Sequence, residues 1–150
     1  MTTLQKGDKA PAFSAVDQDG NVHTLSDYKG KKLVVFFYPA ASTPSCTIEV
    51  CNLRDNYSSF IKEGYALLGV SADTKKKQAN FKSKNELPFP LLADEDKKVI
   101  EAFGVWGPKK FMGREFDGIH RTTFVIDANG VIEEVILKVK TKEHATQILK

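Results

Sequence analysis

The sequence predicts an α/β domain, a mixed central β-sheet flanked by helices and entered through an N-terminal β-hairpin. Three observations carry this. Two apolar runs, LVVFFY (33–38) and YALLGV (65–70), show no polar alternation, as expected of strands buried on both faces. The segment between them has the signals of a helix, so the two strands are parallel and joined by a right-handed crossover. The chain then closes on two strands around Asp127-Ala-Asn-Gly130 and a last helix, which makes the sheet mixed rather than all-parallel.

Taken in order, FSAV (13–16) and NVHTL (21–25) flank Asp17-Gln-Asp-Gly20, a hairpin around an Asp-Gly turn. Gly30 closes a short connector, and Lys31-Lys32 lead into the strand 33–38. After Pro39 one helix carries both cysteines and runs to about 63–64, ahead of the strand 65–70. A helix over 74–84, a short strand over 89–92 and a helix over 96–103, ended by Gly104, follow. Gly and Pro punctuate 104–118, which reads as a long loop. RTTFVI (121–126) and 131–139 are strands, and 142–149 is the terminal helix. A β-α-β unit followed by β-β-α suits a thioredoxin-like sheet.

The chain has 150 residues, the size of one domain, here 1–150. A hydrophobic fraction of 41% excludes a disordered chain. The longest apolar run has six residues, against the roughly 18 of a membrane span. The N-terminus MTTLQKGDKAPAF lacks a basic n-region and an apolar h-region, so a cytoplasmic protein is expected. The net charge of +3 is spread along the chain, and its tightest basic run is Lys75-Lys76-Lys77. That is a solvated helix face rather than a nucleic-acid stripe. Only three of the 22 basic residues are Arg, namely Arg54, Arg114 and Arg121, which marks each for work that Lys does poorly.

Two cysteines five positions apart cannot form a disulfide scaffold, and in a reducing compartment they suggest chemistry. Thr43-Pro44 is a helix start, a side-chain-oxygen cap followed by Pro at the first helical position. Cys46 then lies in the first turn, near unpaired N–H groups and the positive end of the dipole, which favour thiolate over thiol. The site also follows the carboxyl end of a central strand, where open α/β sheets place their ligands. Five residues of helix turn Cys51 by about 140° net and raise it by about 7.5 Å. The Cα atoms are then roughly 8–9 Å apart, whereas a disulfide needs less than about 7 Å. Either the pair never bonds or the helix unwinds locally for it to do so. Spacing alone leaves Cys51 open as a small buried hydrophobe. A C-x₄-C pair with His23, His120 and His144 makes no zinc pattern, so neither a metal nor any other cofactor is expected. The C-x-x-C of general disulfide oxidoreductases is absent.

At these residues the chain resembles the peroxiredoxins, thiol peroxidases on a thioredoxin-like fold. Pro39-x-x-x-Thr43-x-x-Cys46 matches their P-x-x-x-[TS]-x-x-C signature. Cys51, the Thr47-Ile48-Glu49 run, the loop from Gly104-Val-Trp-Gly107 to Gly113 and GIHRTTFVID (118–127) resemble the bacterioferritin-comigratory-protein, or Q-type, subfamily. The similarity runs from GDKAPAF (7–13) to the last helix. It implies that Cys46 is the peroxidatic and Cys51 the resolving cysteine of an intramolecular disulfide. It further implies that Thr43 and Arg121 hold and polarise the peroxide, that Pro39 shields the sulfur and that Glu49 helps to orient the Arg. Ser45 stands where the subfamily commonly has Gly, in the substrate-binding turn, and is expected to alter loop flexibility only.

Thiolate attack on an O–O bond develops negative charge on the leaving oxygen, so fixed donors aimed there stabilise the transition state. The Thr43 hydroxyl, the N–H groups at 45–46 and Arg121 suit that role. On the residues alone, Arg121 reads first as a strand-start side chain in a surface salt bridge, and Glu49 as an exposed helix residue. The expected protein reduces hydrogen peroxide and organic hydroperoxides, is recycled by thioredoxin or a similar dithiol, and works as a monomer or at most a weak dimer. Two rivals are a non-enzymatic redox sensor or holdase using the same switch, and a partner-binding module with inert thiols.

Overall fold

The structure, a computed structural model, describes residues 2–149. Five strands form the central sheet: β3 (Lys32–Phe37), β4 (Tyr65–Ser71), β5 (Leu91–Ala93), β8 (Thr122–Ile126) and β9 (Ile132–Ile136). Their order is β5-β4-β3-β8-β9. β3 runs parallel to β4, and β4 to β5, while β8 is antiparallel to both β3 and β9. The sheet is therefore mixed, as its element order predicts.

β3 owes its central place to having no polar face. Leu33, Val35 and Phe37 pack on one side with Phe103, Val105 and Phe124. Val34, Phe36 and Tyr38 pack on the other with Cys46, Val50 and Leu53 of α1 (Pro44–Asp55), Phe60 of α2 (Tyr57–Lys62) and Phe81 of α3 (Lys75–Lys84). α5 (His144–Leu149) adds Ala145 and Ile148 to this second layer. Gly69 belongs to the same packing, because a Cβ there would lie 2.7 Å from Leu91 and 2.8 Å from Phe36. The N-terminal hairpin is β1 (Ser14–Val16) and β2 (Val22–Thr24), tied by His23 between Asp17 Oδ2 and the Tyr28 hydroxyl, 2.7 Å to each.

Three expectations are corrected. The cysteine helix does not run unbroken to 63–64. The Asn56 side chain donates to the Asn52 carbonyl (2.8 Å), taking an acceptor the helix would have used, and α2 begins anew at Tyr57. The expected loop 104–118 holds a hairpin, β6 (Trp106–Phe111) and β7 (Arg114–Ile119). Met112 and Gly113 turn it with φ of 52° and 79°, the left-handed pair that two-residue hairpin turns use. Pro108 is tolerated because this two-stranded ribbon carries no third strand. The helix expected over 96–103 shortens to α4 (Lys98–Ala102), since Lys97 has φ 62° and cannot join it. Other bounds move by a few residues: β5 starts after Pro90, β9 stops at Ile136 and α5 starts at His144. Among the described residues no helix is long and apolar enough to cross a membrane.

Candidate active site

Tyr38 ends the buried course of the central strand, and the chain turns through Pro39–Thr43 into α1. Asp73, just past β4, pins this turn: its Oδ2 accepts from the Ala41 N–H (2.7 Å) and the Ser71 hydroxyl (2.6 Å). Ser42 takes a left-handed φ of 67°, the kind of backbone cost that persists where the surroundings over-determine it. Pro39 is half-buried in the turn, and Ser45 is exposed on the first turn of the helix.

Thr43 is the N-cap residue, extended at φ −79° and ψ 153°, with Pro44 at the first helical position. Its side chain does not make the expected cap. The hydroxyl points back and donates to the Ala40 carbonyl (3.0 Å), so it is not the free donor that sequence reasoning gives it. The first-turn N–H groups of Ser45 and Cys46 consequently have no side-chain oxygen over them, and an anion there meets them directly.

Cys46 is fully buried, and so is Glu49 one turn on. That corrects the reading of Glu49 as an exposed helix residue. Arg121, at the entry to β8, reaches both. Nη2 lies 3.5 Å from Cys46 Sγ, and Nη1 donates to Glu49 Oε1 at 2.5 Å. Its side chain keeps 19% exposure, so it forms an ion pair, as expected of a strand-start Arg, but one that faces the sulfur. Burial opposes the Arg121 charge, yet Glu49 and Cys46 outweigh it and hold the group above its ordinary value. Burial pushes the Glu49 carboxyl up to about 7 against the pull of Arg121.

Sequence reasoning missed three contributors. Asp73 sets the loop. Lys109 of β6 donates to the Ile119 carbonyl (2.9 Å), and its ammonium, pushed below its ordinary value by burial and then by Arg121, adds a second positive charge acting on Cys46. His144 of α5 stands behind Glu49, with Nε2 at 3.6 Å from Oε2. No local signal could have found these, because each lies far along the chain from Cys46.

Cys51 is not brought to this group. It is half-buried on a different face of α1, with Sγ 3.6 Å from Asn85 Oδ1, and both cysteines are free. α1 is continuous through both, so the ideal-helix separation of about 8–9 Å between Cα atoms applies. The other two Arg residues stand elsewhere: Arg54 ties the end of α1 to the Asn85 carbonyl (2.8 Å), and Arg114 begins β7. The three histidines have separate partners, and among the described residues no group of three or more His, Cys, Asp or Glu is arranged to hold a metal ion. A cavity of about 420 Å³ lined by Phe13, Tyr28, Leu33 and Ile126 opens at the far end of β3 and includes none of the site residues.

Comparison with known proteins agrees with this geometry. The AhpC/TSA family profile matches residues 6–135. Peroxiredoxin Bcp of Escherichia coli K12 is 49% identical over 149 residues, covering 99% of this chain and 96% of the relative. Peroxiredoxin Bcp of Bacillus subtilis 168 is 44% identical over 147 residues, covering 98% and 94%. Among solved structures, peroxiredoxin Q of Xanthomonas campestris superposes with a TM-score of 0.86 at 36% identity, covering 91% of this chain and 87% of that one. A Cys-to-Ser mutant of Xylella fastidiosa PrxQ gives 0.92 at 30% identity, covering 99% and 95%. With close to half of its residues shared with such proteins along almost its whole length, and with their thioredoxin-like fold beneath them, the chain belongs to the AhpC/TSA family as a peroxiredoxin of the Bcp/Q group.

Proposed function

We propose that residues 1–150 act as one domain, a thiol peroxidase for hydrogen peroxide and organic hydroperoxides. The Xanthomonas campestris bacterioferritin comigratory protein is described by its alkyl peroxide reduction activity. The Cys46 thiolate attacks one peroxide oxygen, the O–O bond breaks, and the other oxygen leaves as water or an alcohol after taking up a proton. Cys46 is left as a sulfenic acid. The single observation that carries this reading is Arg121 held by Glu49 with its second nitrogen 3.5 Å from the buried Cys46 sulfur. There a permanent charge meets the developing negative oxygen. The N–H groups of Ser45 and Cys46 add donors. Thr43, whose hydrogen is engaged with Ala40, offers lone pairs to the peroxide O–H. Pro39 limits solvent access to the sulfur.

Cys51 then attacks the sulfenic sulfur, forming the disulfide and releasing water. This step requires the first turns of α1 to open, because the helical separation exceeds disulfide reach. An external dithiol of the thioredoxin type takes the bridge back to two thiols. The resolving thiol lies in the same chain, so a monomer suffices, and the cycle suits the reducing cytoplasm. No metal or organic cofactor enters these steps.

The test is one equivalent of peroxide added to reduced protein, quenched by alkylation and mapped by mass spectrometry. A fast, stoichiometric Cys46–Cys51 bridge within single chains is expected, and Cys46→Ser should abolish it. Slow or unselective oxidation would overturn the reading in favour of an inert module.

A further inference from the structure

Behind Arg121 lies a buried polar chain of which the peroxidase reading uses only Glu49 Oε1. Among the described residues Glu49 Oε2 has no hydrogen-bond partner, and the side chain is fully buried. An orphaned carboxylate oxygen in an apolar interior is costly, and the group it faces is His144, fully buried, with Nε2 at 3.6 Å.

The tautomer of His144 follows from its neighbours. Gln147 Nε2 donates to the Lys138 carbonyl (2.9 Å), and Gln147 Oε1 accepts from the Lys140 N–H (2.9 Å). The amide is therefore fixed with its oxygen toward the ring, and His144 Nδ1, 2.8 Å away, carries a hydrogen. Nε2 is the only ring position left to titrate. It is 2.7 Å from the Thr123 hydroxyl, which donates to it when the ring is neutral. A Glu49 carboxylate would thus oppose a nitrogen lone pair, and one proton between Oε2 and Nε2 removes the conflict.

Resting on the peroxidase reading, we infer that His144 is a positioning residue of the peroxide site: with Glu49 it forms a buried one-proton pair that sets the charge presented to Arg121. With the proton present, Glu49 is neutral, its Oε2–H competes with the Thr123 hydroxyl for the single Nε2 lone pair, and the field of Arg121 is left to the Cys46 thiolate. With the proton gone, the carboxylate competes with the sulfur for the guanidinium. Burial pushes His144 down to about 4 and Glu49 up to about 7, so the proton resides on the carboxyl and leaves near neutrality. The groups that face the pair are Arg121 and Thr123 from β8 and its entry and Gln147 from α5, while Cys46 of α1 and Lys109 of β6 interact with Arg121 on its other side.

The experiment follows the ¹³C shift of the Glu49 carboxyl with pH in full-length reduced protein, assigned by its loss in Glu49→Gln. His144→Leu removes the acceptor that favours the neutral acid and should lower the Glu49 midpoint, by about one pH unit. Thr123→Val, nearly isosteric, leaves the Nε2 lone pair to Glu49 alone and should raise it. Opposite shifts carry the inference. A midpoint unmoved in either variant, or moved the same way in both, overturns it. The pH profile of the rate constant for peroxide with Cys46 should carry a falling step at the Glu49 midpoint, displaced in His144→Leu as the carboxyl is. Superimposable profiles would overturn the positioning role. A wild-type chain that does not react with peroxide at all would refute the proposed function, and the positioning role with it.

Discussion

Asn52 is the residue through which the opening of α1 can be weighed. From the third turn of α1 its side chain grips the start of α5, with Nδ2 donating to the Lys142 carbonyl (3.0 Å) and Oδ1 accepting from the Ala145 N–H (2.8 Å). Opening α1 far enough for Cys46 and Cys51 to meet pulls on this clamp. Asn52→Ala removes both bonds from the closed state and nothing from the open one. At about 1 kcal/mol each, opening becomes easier by about 2 kcal/mol. If resolution proceeds through that opening, disulfide formation accelerates by about tenfold to thirtyfold. Quenched-flow alkylation after a single peroxide equivalent reads this directly, since sulfenic acid and disulfide differ in mass. The rate of Cys46 oxidation itself should stay unchanged. The reasoning fails if disulfide formation in Asn52→Ala is no faster than in the wild type while the variant melts at a lower temperature. That result would place the rate-limiting motion outside the α1–α5 contact.

Three further expectations follow from the same geometry. Cys51→Ser should oxidise once and then stall, accumulating over-oxidised Cys46 under excess peroxide; steady turnover with a thioredoxin-type donor would remove Cys51 from the resolving role. Arg121→Lys keeps a charge but cannot span Glu49 and Cys46 together. Loss of one charge-assisted hydrogen bond, about 1.5–3 kcal/mol, should slow the first step by about ten- to a hundredfold, measured as the second-order rate with peroxide. Stability should also respond to Glu49. Its folded carboxyl, raised to about 7 by burial, contributes stability that is complete below its ordinary value of 4.5 and is lost as pH rises through about 7. His144, lowered to about 4, has the opposite sign: its contribution is present above 6.5 and is lost as pH falls through about 4. The two oppose each other between pH 4.5 and 6.5. Glu49→Gln leaves His144 alone, so its melting temperature should climb from pH 4.5 to 6.5 where the wild type stays nearly level; parallel curves would contradict the assigned signs.

What could be read in the sequence was what local chemistry decides. β3 was legible because six apolar residues in a row leave no face for water. The start of α1 was legible because Thr-Pro can do little else. The turn of the cap hydroxyl toward Ala40 was not, since it depends on the path of the preceding loop, which Asp73 holds from another strand. The β6–β7 ribbon hides behind Gly107 and Pro108, which ordinarily mark loops and here sit in a two-stranded ladder, and behind Gly113, which turns it. The break after Asp55 depended on one amide choosing the Asn52 carbonyl. Spacing put Cys46 in the first turn of α1, where it lies, but Arg121 stands 75 residues away and only the family resemblance draws it in. His144 fits no ligand pattern in the sequence, and nothing nearby in sequence tells that α5 folds back against Glu49.

The placement of Glu49 between the two cysteines has a consequence for the order of events. Cys46, Glu49 and Asn52 recur every three residues along α1, so one stripe of the helix faces the Arg121 site and the start of α5. Cys51 lies off that stripe, toward Asn85. Rotating Cys46 out to meet Cys51 therefore carries Glu49 out of its contact with Arg121 and loosens the Asn52 clamp in the same motion. On the proposed cycle the guanidinium cannot stay poised over the sulfur while the disulfide forms. The activated geometry and the resolved geometry exclude each other, because both are built on the same three turns of helix. A second peroxide then finds no assembled site until a dithiol has reduced the bridge and α1 has rewound. The closed helix has to be stable enough to hold Arg121 in place, yet only marginally so. Strengthening the α1–α5 contact should therefore slow resolution and expose the sulfenic acid to over-oxidation, the converse of the Asn52→Ala change.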